Sequence, residues 1–225
     1  QDITPVIVGG TNLYLKALLE GMFQGPPADP ALRASWEDMP SQQLHEKLKQ
    51  VDPDSADRIA PADRKRIVRA LEVYETTGKP ISQWQQQWSA ESVAYRYNPI
   101  LLGLEWPVEA INKRINQRVR DMFSPPDGIE SLPDETARLE SAALLGTQAR
   151  EALGYKQLLE HLAGQMTLDQ ALERTKILTR RFAKAQRTWL KRFRGVHWLA
   201  ANATSPADLA ILAQEAIKSA NCVKH

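Results

Sequence analysis

A chain of 225 residues, 43% hydrophobic and 25% charged, is long enough to bury a core in one or two domains. No apolar run approaches the roughly 18 residues of a membrane span and no basic-then-apolar segment opens the chain, which points to the cytoplasm. The single cysteine, Cys222, excludes a disulfide framework and a thiolate zinc site, and His45, His161, His197 and His225 lie too far apart for metal-ligand spacing.

Pro5-Val6-Ile7-Val8 reads as a buried strand that runs into a glycine turn, Gly9-Gly10. Such a strand in a parallel sheet needs neighbours on both sides, so the expectation is that earlier strands are missing and the sequence is a fragment. Thr11 is placed to cap a helix that stops at Gly21. Gly25, Pro26, Pro27 and Pro30 then stiffen a connector. Helical patterns follow near 30–38, 41–50, 53–59 and 63–76, the last stopped by Gly78-Lys79-Pro80, with no strand before about Trp88. A strand-length run returns at 97–104, followed by a helix over 107–123 with proline in its first turn. Residues 124–139 are expected to be loop-rich, ahead of helices near 139–163 and 167–194, a short strand at 196–199 and a last helix over 205–219. The simplest organisation is an α/β core, 1–28 and 96–225, interrupted by an all-helical insertion, 29–95.

Charge is distributed unevenly. The formal net charge is only +2, yet residues 174–194 hold nine Lys or Arg and no Asp or Glu. At about 100° per residue, Lys176, Arg180, Lys184, Arg187, Lys191 and Arg194 fall in one stripe, with Leu178, Phe182, Ala185, Trp189 and Phe193 opposite. The stripe would run roughly 27 Å at ~1.5 Å per residue, on the order of eight phosphate spacings at ~3.4 Å along one strand. A nucleic-acid backbone fits that spacing, and a solvated helix face is the alternative.

A second cluster, Arg64-Lys65-Arg66-Ile67-Val68-Arg69, opens the 63–76 helix, where cations oppose the helix dipole. Two clusters in two domains imply a ligand that spans both. Gly9-Gly10-Thr11, at a strand end, would lie at the carboxyl edge of a parallel sheet, where α/β proteins place ligands. Taken alone it is a weak motif that reads first as a structural turn.

The wider string Gly9-Gly10-Thr11-Asn12-Leu13-Tyr14-Leu15-Lys16-Ala17-Leu18-Leu19-Glu20-Gly21 resembles the tRNA dimethylallyltransferase family throughout. Further similar segments follow in family order: Asp52-Pro53 with Arg58-Ile59; Arg66-Ile67-Val68-Arg69-Ala70-Leu71-Glu72-Val73; Thr77-Gly78-Lys79-Pro80; Arg114-Ile115-Asn116-Gln117-Arg118-Val119; Leu153-Gly154-Tyr155-Lys156; and Ala183-Lys184 with Gln186, Thr188 and Trp189.

The resemblance implies a P-loop NTPase-like parallel sheet, its N-terminal strands missing here, with an all-helical insertion. It implies magnesium dependence and transfer of a dimethylallyl group from dimethylallyl diphosphate to N6 of the adenosine on the 3′ side of the tRNA anticodon. Adenine N6 is a poor nucleophile, so the reaction needs a base for its proton and cations for the departing diphosphate. By the resemblance, Arg118 and Thr11 belong to the catalytic centre. Thr11, Arg33, Lys65, Arg66, Arg69 and the stretch Glu151, Ala152, Leu153, Gly154, Tyr155 and Lys156 contact the tRNA anticodon stem-loop, and Arg180 and Lys184 join them from the basic stripe. The target base must leave its stack, and recognition is of loop shape and unstacked bases. The family's aspartate base, its Gly-x-x-x-x-Gly-Lys-Ser/Thr loop and its metal ligands are expected before Gln1, so this piece alone is expected to be inactive and monomeric. The chain departs from the family at Phe123-Ser124-Pro125-Pro126-Asp127-Gly128. A non-catalytic RNA-binding protein is the alternative function. An enzyme acting on free adenine nucleotides is disfavoured, because a small acceptor needs no long cationic surface.

Overall fold

The computed structural model of the chain describes residues 5–22, 25–85, 95–202 and 204–222, with side chains through Ala220. Two compact units divide it, Leu13–Pro99 and the remainder, Gln1–Asn12 with Ile100–His225.

The first unit is helical. After α1 (Asn12–Glu20) come α2 (Pro30–Ser35), α3 (Ser41–Val51), α4 (Pro53–Arg58), α5 (Arg64–Thr77) and α6 (Ile81–Trp84). Short-range polar chemistry sets the starts: the Asp29 carboxylate accepts from the N–H groups of Ala31 and Leu32, Asp52 from Ser55 and Asp63 from Arg66. The C-terminal stop of α5 is Gly78, with φ 68°. Trp36, Leu44, Leu48, Ile67, Leu71, Val73 and Ile81 interlock as the core. Of the buried His45 ring, Nε2 lies 2.9 Å from the carbonyl oxygen of Ile59 and 3.0 Å from that of Ala56, so this nitrogen is the donor, while Nδ1 is buried without a hydrogen-bond partner. Asp52 accepts from the Ser55 N–H and hydroxyl and from the Ser82 N–H, which ties α4 to α6.

The second unit carries the sheet, two parallel strands β1 (Leu101–Glu105) and β2 (Val196–Ala200), in register from Leu101 opposite Val196 to Glu105 opposite Ala200. Gly103 faces Trp198, and a Cβ there would come within 2.6 Å of the indole ring, so only glycine permits this approach. Around the strands lie α7 (Val108–Phe123), α8 (Leu132–Ser141), α9 (Thr147–Arg150), α10 (Tyr155–Leu162), α11 (Leu168–Leu190) and α12 (Pro206–Cys222). Val119, Phe123, Leu132, Leu158 and Ala171 form the core among α7, α8, α10 and α11.

Three expectations are corrected. Residues 5–8 form no strand: Val6, Ile7 and Val8 are 84%, 60% and 92% exposed, and no described strand pairs with them. An apolar run becomes a strand only with a hydrogen-bonding partner. Residues 132–139 are not loop, because the Ser131 hydroxyl accepts from the Asp134 N–H and starts α8, with Pro133 in the first turn, where its missing N–H costs nothing. The helix expected over 139–163 is broken at Ala143, whose φ is 54°, and again at Gly154, leaving α9 and α10 as separate pieces. Trp88 and His225 lie outside the described residues.

Candidate functional site

On the helical unit, the basic cluster at the start of α5 divides by role. Arg64 is consumed by the fold: its guanidinium donates to the carbonyl oxygens of Trp36, Glu37 and Met39 in the turn after α2. That answers the cost of a cation at a helix N-terminus. Lys65 is exposed, and Arg66 makes only an exposed pair with Asp63 at 3.4 Å, worth little in stability.

Arg69 turns to Glu72, and so does Arg33 from α2. Glu72 Oε1 accepts from the Asp29 N–H at 2.8 Å and from Arg33 Nε at 2.7 Å; Oε2 accepts from Arg33 Nη2 at 2.9 Å and from Arg69 Nη1 at 2.5 Å. Arg69 Nη2 also donates to the Pro26 carbonyl oxygen at 2.8 Å. The Glu72 side chain is fully buried, while those of Arg33 and Arg69 remain 45% and 32% exposed. The Arg33 hydrogen bonds, with those from Arg69 and Asp29, outweigh the burial penalty and hold the Glu72 carboxyl down at about 2. Four of the residues read from sequence thus lie in this unit, and two of them meet on Glu72. Sequence reasoning assigned Glu72 no role. Its signal was an acid one helical turn after Arg69 on an otherwise basic stretch.

In the sheet-bearing unit, the turn before Thr11 is held from the far end of the chain. Gln186 Nε2, on α11, donates to the Gly10 carbonyl oxygen at 3.0 Å, and a Cβ on Gly10 would lie 2.7 Å from that nitrogen. Thr11 itself is exposed. Arg118 is also exposed, on the side of α7 away from Val119 and Phe123, which are buried in the core.

The basic helix carries its charge in a different phase from the one expected. Its buried line runs through Ala171 and Thr175, with Thr179, Ala183, Gln186 and Leu190 half-buried along the same side. The reciprocal cap between Thr167 and Gln170 starts the helix, and the small residues of this line let α7 and α10 approach. Lys176 and Arg180 flank the packed line instead of facing solvent: Lys176 is 6% exposed and pairs with Glu173 at 2.6 Å, and Arg180 donates to Asn116 Oδ1 at 2.5 Å. Phe182, taken as core, is 55% exposed. Lys184 is exposed as expected, and Arg181, assigned to neither face, is exposed beside it. The helix ends at Leu190, so Lys191 and Arg194 do not extend the stripe as a helix.

Residues 151–156 form the turn from α9 into α10. Glu151, Ala152 and Leu153 are exposed, Gly154 adopts φ 100° and is buried, and Lys156 Nζ pairs with Glu151 at 2.7 Å. Tyr155 donates its hydroxyl to Glu135 Oε1 at 2.9 Å, which raises the phenol's pKa.

Among the described residues no three His, Cys, Asp or Glu side chains converge, so these residues do not build a magnesium cage. No described helix is long and apolar enough to cross a membrane.

Comparison with known proteins gives a consistent result. A sequence model of the family described as IPP transferase matches residues 1–193. The tRNA dimethylallyltransferase of Geobacillus thermodenitrificans is 38% identical over 216 residues, 94% of this chain and 65% of that protein. That of Corynebacterium urealyticum is 41% identical over 211 residues, 92% and 61% respectively. The chain therefore spans less than two thirds of the length of these curated relatives. Among solved structures, the tRNA delta(2)-isopentenylpyrophosphate transferase of Staphylococcus epidermidis superposes with a TM-score of 0.56 at 31% identity, covering 95% of this chain and 69% of that one. A eukaryotic dimethylallyltransferase acting on tRNA shares the fold, with a TM-score of 0.70 at 24% identity over 96% of this chain and 57% of its own. The mostly helical α/β architecture of this chain, with its small parallel sheet, superposes on these structures.

Proposed function

We infer the activity from the fact that this chain belongs to the IPP transferase family: the complete protein transfers a dimethylallyl group from dimethylallyl diphosphate to N6 of the adenosine on the 3′ side of the tRNA anticodon. The observation that carries this reading is the family match over residues 1–193. Exposed cations at Lys65, Arg66, Arg118 and Lys184 support it.

In the reaction a bond forms between N6 and C1 of the dimethylallyl group as the bond from C1 to the diphosphate oxygen breaks. The N6 proton passes to a base of the complete protein, and the diphosphate leaves with the electron pair. Arg118 is the residue of this chain assigned to the diphosphate, because a guanidinium fork meets two phosphate oxygens at once. Thr11, exposed and directly after the Gly10 carbonyl held by Gln186, is assigned to the acceptor side. Lys65, Arg66, Arg69 and Arg33 on the helical insertion, residues 151–156 and Lys184 grip the anticodon stem-loop. Among the described residues none is grouped to hold magnesium, so any metal ligands belong to the rest of the complete protein.

The finer organisation is part of the same reading. Residues 1–28 and 96–225 belong to a P-loop NTPase-like core, and 29–95 to an RNA-binding insertion. The exposed Val6, Ile7 and Val8 and the exposed Leu102, Leu104 and Trp198 of the two-stranded sheet support further strands in the complete protein. Action on tRNA in the cytoplasm follows from the substrate.

Incubating the complete protein with tRNA and labelled dimethylallyl diphosphate tests the reading. Label recovered in N6-prenylated adenosine supports it. Stem-loop binding without transfer would instead favour a non-catalytic RNA-binding protein.

A further inference from the structure

Glu72 is a poor candidate for a simple structural staple, because it has one arginine more than a staple needs. Arg33 alone satisfies both carboxylate oxygens, through Nε to Oε1 and Nη2 to Oε2, and the Asp29 N–H adds a third donor. A buried acid with one bidentate arginine is already neutralised and hydrogen-bonded. Arg69 nevertheless adds a second guanidinium to Oε2 and is itself tied to the Pro26 carbonyl oxygen. With two donors on each oxygen the carboxylate is saturated. Two guanidinium charges against one carboxylate leave one positive charge, fixed in place on side chains that stay 45% and 32% exposed. Lys65 and Arg66 stand one turn earlier on the same helix, which adds to the excess.

We propose that Glu72 is a positioning residue: its buried carboxylate presets Arg33 and Arg69 as a two-arginine fork that binds one backbone phosphate of an RNA ligand. A phosphodiester carries the single negative charge that the trio lacks. Its oxygens accept from the guanidinium edges turned away from Glu72. Arginines locked before binding lose little side-chain freedom when the phosphate arrives. The inference rests on the RNA-binding part of the functional reading and adds the residue that orients it.

The test is binding of an anticodon stem-loop RNA to the complete protein at several salt concentrations. Glu72→Gln removes a negative charge, so simple attraction predicts tighter binding, whereas loss of the preset fork predicts weaker binding by about tenfold, the equivalent of one charge-assisted hydrogen bond. Arg33→Lys keeps the charge on a half-exposed side chain and removes the fork; it should weaken binding similarly while leaving the salt slope near the parental value, because the same phosphate is still neutralised. Arg33→Lys decides the matter if Glu72→Gln does not fold. Folded variants that bind as well as or better than the parent overturn the inference and leave the functional reading intact. A parent protein that does not bind the stem-loop overturns both.

Discussion

The side-chain amide of Gln186 donates to the carbonyl oxygen of Gly10 at 3.0 Å, joining the C-terminal part of α11 to a turn 176 residues earlier. A Cβ at position 10 would lie 2.7 Å from that amide nitrogen, so the contact and the glycine depend on each other. Gly10→Ala and Gln186→Ala should each lower prenyl-transfer turnover of the complete protein. The double variant should cost less than the sum of the two, because both remove one contact. Chemical denaturation should show each single change costing about 1 kcal/mol of stability. Strictly additive effects on turnover would separate the two residues.

Glu72 makes the helical unit acid-sensitive in a defined window. Its carboxyl sits at about 2, below an ordinary value of 4.5, so the stabilisation is fully present above about 4.5 and is lost as pH falls toward about 2. At full strength the linkage is on the order of 3 kcal/mol. Asp52 adds to the same trend: burial pushes its carboxyl up, but hydrogen bonds from Ser82 and Ser55 outweigh burial and lower it. Denaturant unfolding at pH 7 and pH 3 checks this. Glu72→Gln should be less stable than the parent at pH 7 and should lose less on acidification; an equal acid loss in both proteins would contradict the assignment.

The revised phase of α11 separates two arginine neighbours. Replacing Arg181 and Lys184 with Ala should leave stability unchanged and flatten the salt dependence of tRNA binding, because both side chains are exposed. Arg180→Met should cost about 1–3 kcal/mol of stability, since it leaves Asn116 Oδ1 without its donor in a part-buried contact. Unchanged salt slopes in the first variant would reduce that face to a solvated surface.

Arg118→Ala should reduce turnover by about 10²-fold or more while tRNA affinity stays near the parental value, the pattern of a group that acts on charge developing in the transition state. Parallel measurement of single-turnover rate and Kd for tRNA checks it. An unchanged rate would remove Arg118 from the reaction.

These cases also show how far sequence reasoning reaches. The helices over 41–51, 64–77 and 108–123 and both described strands were legible because caps, stops and apolar spacing are local. The apolar run at 5–8 forms no strand in this chain, because strand formation depends on a partner and no described strand pairs with it. The phase of α11 is not legible from its aromatic residues, because the packed line is built from Ala171, Thr175, Ala183 and other small or polar residues. Arg33 and Arg69 were singled out as RNA contacts by family resemblance. That both converge on Glu72 was beyond local reading for Arg33, which lies 39 residues from its partner. Arg64 was grouped with its neighbours by composition, although its guanidinium closes the carbonyls after α2.

The most direct test of the central claim uses the complete protein, labelled dimethylallyl diphosphate and two anticodon stem-loops that differ only at the base on the 3′ side of the anticodon, adenine in one and guanine in the other. The account predicts one prenyl group on N6 of that adenine and none on the guanine stem-loop. Transfer to neither RNA, or transfer to a free adenine nucleotide in preference to the stem-loop, would contradict it.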